Sequence, residues 1–148
     1  MTVAGNRANV LRSITSVLEK HVPLRGYLKH QLGATSLKAG ARILGDDIRI
    51  DDLPVPVLIL EGGNGDATAP GREEKTWLVD VTIYGQTVYQ VAEVLDLIED
   101  CAAAYSYDGS LSQPLNRFRV IGHERLDAVG PAGRLLATRV NLEVTWIS

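Results

Sequence analysis

The sequence is poor in cysteine. Cys101 is the one cysteine in 148 residues, so the chain forms no disulfide within itself. It recurs with apolar residues on one side of a predicted helix, which is typical of a small buried side chain. A fold without disulfides is consistent with assembly in a reducing compartment, and this length is enough for one domain with its own core.

The chain also lacks long apolar runs and a strong charge of one sign. Its first residues contain no uninterrupted apolar stretch like that of a signal peptide, and no later run approaches the length that spans a bilayer. The net charge is −3 and the pI is about 5.6, which gives no general attraction to nucleic acid or anionic lipid. We expect a soluble protein without a targeting signal, without a membrane partner and without DNA binding as its main function.

Recognisable catalytic and metal-binding motifs are absent. The three histidines, His21, His30 and His123, do not stand at metal-ligand spacing from one another or from Cys101. The glycine-rich stretch at 62–71 lacks the Walker A pattern, and no serine lies in a nucleophile elbow. We predict no catalytic residue, no cofactor and no metal ion. A nucleophile and a base that meet only in the fold stay open here, because triads form from distant positions.

The most informative stretch present is Lys75 to Tyr105. Its apolar period changes near Gly85 from two residues to between three and four, which predicts a strand, a tight turn and a helix. Thr87-x-x-Gln90 is a capping box that defines the start of the helix. The residues predicted to form one apolar layer are Trp77, Val79, Val81 and Ile83 on the strand and Val91, Val94, Leu95, Ile98, Cys101 and Ala102 on the helix.

Two helices are predicted before this unit. Val10 to His21 has helical apolar spacing with Asn6 as its N-cap. Leu24 to Leu32 is predicted to form a second, short helix after Pro23. Proline ends the first helix but is tolerated in the first turn of the next one.

The segment between the helices and the central unit is predicted to contain one apolar strand and, before it, at most a short edge strand. Residues 33–53 fit a connection with at most a short edge strand at 48–50. An apolar strand begins at Val55 and is closed by glycines. The glycine-rich stretch at 62–74 is predicted to be a flexible loop.

The chain closes with a predicted hairpin. Its strands are Asn116 to Glu124 and Leu135 to Ile147, joined by a glycine-rich turn at 129–133. The whole pattern predicts a single α+β domain with a mostly antiparallel four-stranded sheet and helices packed on one face.

One face of this hairpin is predicted to be polar and mixed in charge. Such a face is typical of cross-strand pairing or a subunit contact, while a small enzyme that uses it is the alternative. The residues concerned are Arg117, Arg119, Arg139 and, as a further candidate, His123, beside Asp80 and Glu143.

Two charged groups are predicted to contact partners. The first is the acidic side of the long helix, and the second is the loop, whose residues would order on binding. A solvated surface is the alternative for both. The residues are Glu93, Asp96, Glu99 and Asp100 on the helix and Asp66, Arg72, Glu73 and Glu74 on the loop.

The order of these elements resembles that of tail terminator and tail-completion proteins of long-tailed bacteriophages. The resemblance covers nearly the whole chain and consists of apolar patterns and lengths. The segments that carry it are the helix at Val10 to His21, LPVPVLILEGG, WLVDVTIYGQTVYQVAEVLDLIEDC, and the pair RFRVIGHERLDAV and RLLATRVNLEVTWI.

The resemblance implies a virion protein that is not an enzyme. Such a protein assembles in the host cytoplasm as a homo-oligomeric ring, expected to be a hexamer, at the head-proximal end of the tail. The ring caps the tail tube, ends its elongation and provides the surface for joining to the head. Its partners would be the tail tube protein and a neck or connector protein, with a sheath protein as a further candidate, and DNA would only pass through the lumen. Another neck or head-completion protein is the alternative.

Overall fold

Four strands form one sheet, and three helices cover one of its faces, in a computed structural model that describes residues 6–32, 57–66, 74–129 and 135–147. The strands alternate polar and apolar residues, and the helices carry an apolar stripe, so each layer buries one side against the other. The elements are α1 (Asn6–Lys20), α2 (Val22–Leu32), β1 (Val57–Asp66), β2 (Glu74–Gly85), α3 (Val88–Ala104), β3 (Arg117–Val129) and β4 (Leu135–Ile147).

The strand order is β1-β2-β4-β3, and every neighbouring pair is antiparallel. β2 and β4 lie in the centre, and β2 pairs with β4 over its whole length, from Glu74 opposite Ile147 to Gly85 opposite Leu136. β1 and β3 form the two edges. The predicted α+β class with an antiparallel four-stranded sheet is therefore confirmed.

The core lies between the sheet and the helices. α3 packs across β2, β4 and β3, while α1 and α2 pack beside it. Each side chain fully buried there contributes roughly 1.5–3 kcal/mol of hydrophobic stabilisation. The core includes Val79, Val81 and Ile83 of β2, Val140, Leu142 and Val144 of β4, Val94 and Ile98 of α3, and Val10, Ile14 and Leu18 of α1.

α3 begins at a side-chain cap. The hydroxyl of Thr87 accepts a hydrogen bond from the backbone N–H of Gln90 at 3.1 Å, as the capping box predicts. The amide oxygen of Gln90 accepts from the backbone N–H of Gln86 at 2.8 Å, one residue earlier than a reciprocal box requires. Two backbone donors at the turn are thus satisfied, which fixes the direction in which the helix leaves β2.

Buried polar contacts tie α1 to the segment before β3. The fully buried hydroxyl of Ser13 donates to the carbonyl of Gln113 and accepts from its N–H, both at 2.8 Å. The hydroxyl of Tyr105 donates to the carbonyl of Leu115, and its ring lies 5.6 Å from that of Phe118. Satisfied groups of this kind hold an irregular segment in one conformation.

Several boundaries differ from the prediction. α2 begins at Val22, two residues earlier than predicted, so that Pro23 lies in its first turn. Asn6 is the first helical residue of α1 and not a cap outside it. β3 continues to Val129, five residues beyond the prediction. β1 continues through Asp66, so 62–66 is strand and not part of the predicted loop. The glycines do not end β1, because the strand continues past them with a shift in register. Gly62 pairs with Val79, and Asp66 pairs with Trp77.

Several predictions lie outside the described residues: the connection at 33–53 with its edge strand at 48–50, the start of a strand at Val55, the rest of the loop at 67–73, and most of the closing turn, at 130–133.

Candidate contact surfaces

The face of the sheet turned away from the helices, here called the outer face, carries alternate residues of the same strands that build the core. Rows of side chains cross it at right angles to the strands. One row is Leu78, Glu143 and Arg119, and another is Thr76, Thr145 and Arg117. The rows further along the strands include Asp80 with Asn141, and Thr82 with Arg139 and Glu124.

Two arginines share one carboxylate at one end of this face. Arg119 Nε lies 2.7 Å from Glu143 Oε1, and an Arg117 guanidinium nitrogen lies 3.7 Å from the same oxygen. Both arginine side chains are more than half exposed, whereas Glu143 is largely covered. This arginine end, defined as Arg117, Arg119 and Glu143, therefore has an excess of one positive charge. Leu78, in the row of Glu143, is 41% exposed, and Ile147 is 52% exposed.

Arg139 has the opposite arrangement further along the face. Its guanidinium lies 2.8 Å from Glu124 Oε1 and 4.0 Å from Asp80 Oδ2, so one arginine is shared by two carboxylates. Partial burial raises the pKa of Asp80; Arg139 counters this rise, and Glu124 adds to it. The predicted mixed-charge face is confirmed for these residues, and Glu124 is a member that the sequence did not indicate.

His123 does not belong to the outer face. The pairing of β3 with β4 shifts between Val120 and Gly122, so that His123 lies opposite the core residue Val140. A one-residue bulge turns every following side chain to the other face. His123 instead lines a groove of about 230 Å³ beside α3, with Val91 and Leu95 among its apolar walls.

The acidic side of α3 lies opposite its buried side. Val91, Val94, Ile98 and Cys101 face the core, whereas all four predicted carboxylates, Glu93, Asp96, Glu99 and Asp100, are exposed. Within the described residues none of the four forms an ion pair, and α3 contains no lysine or arginine. Tyr89 precedes Glu93 by one turn and is 86% exposed. The sequence prediction did not include Tyr89, although its spacing of four from Glu93 and seven from Asp96 places it on the same side of the helix.

The predicted loop residues are divided. Asp66 ends β1, and Glu74 is the exposed first residue of β2, on the outer face. Arg72 and Glu73 lie outside the described residues. The structure therefore does not place Glu74 with the acids of α3, because the two belong to opposite layers of the domain.

A cleft of about 420 Å³ lies where the end of α1 meets the end of α3. Lys20 Nζ and Asp108 Oδ2, 3.5 Å apart, are at its rim. Hydrogen bonds from the hydroxyl and the backbone N–H of Ser110 lower the pKa of Asp108.

The lining of this cleft includes one thiol and one imidazole, those of Cys101 and His21. Burial raises the pKa of the Cys101 thiol to about 11, and its Sγ lies 3.6 Å from the carbonyl oxygen of Val17. Such a thiol is a poor nucleophile at neutral pH because the thiolate is the reactive form. His21 Nε2 is buried, and no described residue provides it with a hydrogen-bond partner. The described residues contain no group of three or more histidine, cysteine or carboxylate side chains arranged to hold a metal ion.

In the described part of the chain, no helix has both the length and the apolarity needed to cross a bilayer.

Comparison with known proteins finds similar folds among solved structures. No protein-family model and no curated protein matches the chain. A chain in a solved structure described as the virion of a native gene transfer agent particle is similar, with a TM-score of 0.49 and 9% identity. The superposition covers 87% of this chain and 95% of that chain.

Proposed function

We propose that this protein is a structural component of a phage or phage-like tail, where it forms a ring that caps the tail tube, ends its elongation and presents a surface to the neck. The order of elements that carries the resemblance in the sequence is the order found in the fold: two helices, a strand, a strand-helix unit and a closing hairpin.

The single observation that carries the proposal is the distribution of paired and exposed charged side chains over the two layers of the domain. On the outer face, arginines and carboxylates pair with each other, and on α3 four carboxylates project from the opposite layer. Polar, mixed-charge surfaces of this kind fit protein contacts. Catalysis would instead require convergent groups with a poised nucleophile or base in a concave site, and the described cleft holds a thiol whose pKa is raised.

Electron microscopy of particles that lack this protein tests the role. Overlong tail tubes are expected, because no cap would stop the addition of tube rings. Filled heads beside tails of normal length would instead indicate the alternative, a neck or head-completion protein. Complete particles of normal tail length would contradict both roles.

The proposed partner contact at 62–74 has its own test. Deleting residues 67–70 leaves all of the described part of β1 and β2 in place, whereas a cut that starts at Gly65 removes the end of β1. We expect a folded subunit with weakened assembly, since Asp66, Arg72, Glu73 and Glu74 are proposed to contact the tube or a neighbouring subunit. Unchanged tail joining in a complementation assay would remove this stretch from the contact.

A further inference from the structure

We propose that the arginine end of the outer face docks the acidic side of α3 from a second copy of this chain. The inference rests on the proposed ring and names the two surfaces that form it. Its starting point is the layer order: α3 covers one face of the sheet, and the arginine end lies on the other.

Surfaces on opposite layers favour head-to-tail association. When a patch on one side of a subunit binds a different patch on the other side of its neighbour, every added copy presents the same free patch again. Such heterologous contacts close into a ring if the rotation between copies allows it. A pair of identical patches would instead stop at a dimer.

The charges of the two surfaces are complementary. Glu143 neutralises only one of the charges of Arg117 and Arg119, and both guanidinium groups keep more than half of their side-chain surface exposed. Glu74, also exposed at this end of the outer face, lies on β2, which β4 separates from the strand of the two arginines. The two guanidinium groups are therefore free to accept a second carboxylate without leaving the first. Glu93, Asp96 and Asp100 follow one another along α3 at spacings of three and four, which places them on one line, and none is paired within the described residues.

Each surface also has an exposed apolar group. Leu78 lies in the same row as Glu143 and Arg119, and Ile147 lies at the same end of the sheet. Tyr89 continues the line of acids by one turn toward the start of α3 and is 86% exposed. Tyrosine is a frequent anchor of protein interfaces, because it buries a large area at a low entropic cost.

Charge reversal with rescue tests the docking. One variant carries Arg117→Glu and Arg119→Glu, a second carries Glu93→Lys and Asp96→Lys, and a third carries all four changes. Assembly of the full chain is followed by sedimentation velocity over a concentration series. We expect each double variant to raise the concentration for half-assembly at least about tenfold, since like charges then face each other, and the combined variant to recover most of the loss.

A matched control changes the same amount of charge elsewhere. Arg12→Glu with Arg25→Glu alters two exposed arginines of α1 and α2, which the proposed contact does not use, and should assemble as the unmodified chain does. Circular dichroism of each variant checks that it is folded.

The outcomes separate this inference from the proposed function. If the unmodified chain forms rings and the double variants form them equally well, or if the combined variant shows no recovery although it is folded, the docking is wrong and the ring stands. If the unmodified chain stays monomeric at every concentration, both the ring and the docking are wrong.

Discussion

The two faces of the sheet are made by the same strands, but one face is buried under the helices and the other carries exposed charged side chains. Val79 and Leu142 face the helices and are fully buried, whereas their chain neighbours Leu78 and Glu143 face away. On the inner face, apolar contacts with α3 hold the fold. On the outer face, charged side chains pair near the surface, where an ion pair adds little to stability. A two-layer domain thus separates the residues that maintain the fold from those that remain available to a partner.

Removing equal side chains from the two faces should give the largest contrast. Leu142→Ala leaves a cavity in the core and should lower the free energy of unfolding by about 2–5 kcal/mol. Leu78→Ala, on the neighbouring strand, should lower it by about 1 kcal/mol or less, since 41% of this side chain is already exposed. Urea unfolding of both variants measures this; equal losses would show that the outer face is buried in the isolated subunit.

The junction between the sheet and α3 should be nearly as sensitive. A Cβ at Gly85 would lie 2.9 Å from Val91 Cγ2, so Gly85→Ala should displace the buried Val91 side chain and cost about 1–3 kcal/mol. Gly26 of α2 has no atom within 4 Å of such a Cβ. Gly26→Ala should therefore stabilise the chain by about 0.5–1 kcal/mol. Thermal melts that show the same sign for both variants would refute this close approach.

The cap of α3 should have a smaller effect. Thr87→Ala removes the acceptor for the N–H of Gln90 and should cost about 1 kcal/mol. Thr87→Ser keeps a hydroxyl there and serves as the control. If the two variants unfold at the same denaturant concentration, the cap does not contribute to stability.

The ion pairs of the outer face should have the smallest effect on folding. Arg119→Gln removes the 2.7 Å contact with Glu143, and we expect a loss between 0 and about 1 kcal/mol, because the arginine is more than half exposed. The loss should shrink further at high salt. A salt-independent loss above about 2 kcal/mol would place this pair in the core of the fold and not on a contact surface.

Periodicity was sufficient for most of the fold. The change of period at Gly85, the Thr87 cap and the alternation along β4 each depend on neighbouring residues alone, so the sequence predicts them directly. The bulge at Val120–Gly122 depends on how β3 pairs with β4, which no local pattern reveals. The sequence prediction therefore placed His123 on the outer face, whereas the bulge turns it to the other face. The glycines at the end of β1 likewise predict a loop from the sequence. They lie in a strand because they pair with β2, and local sequence does not reveal this pairing.

The acidic side of α3 was predictable from local spacing, whereas the ion pairs of the outer face depend on how the strands pair. The acidic side of α3 follows from helical spacing, and its exposure was foreseen. The sharing of Glu143 by Arg117 and Arg119, and of Arg139 by Asp80 and Glu124, requires the register of three strands. The sequence predicts the charges on this face, but it does not predict that two arginines share one carboxylate at one end and that two carboxylates share one arginine further along.

The mass of the purified, unmodified chain in solution, with negative-stain images of the same sample, is the decisive measurement for the proposed ring. We expect a closed ring of several copies that becomes more populated as the protein concentration rises. A monomer of 16.0 kDa at every concentration would contradict it.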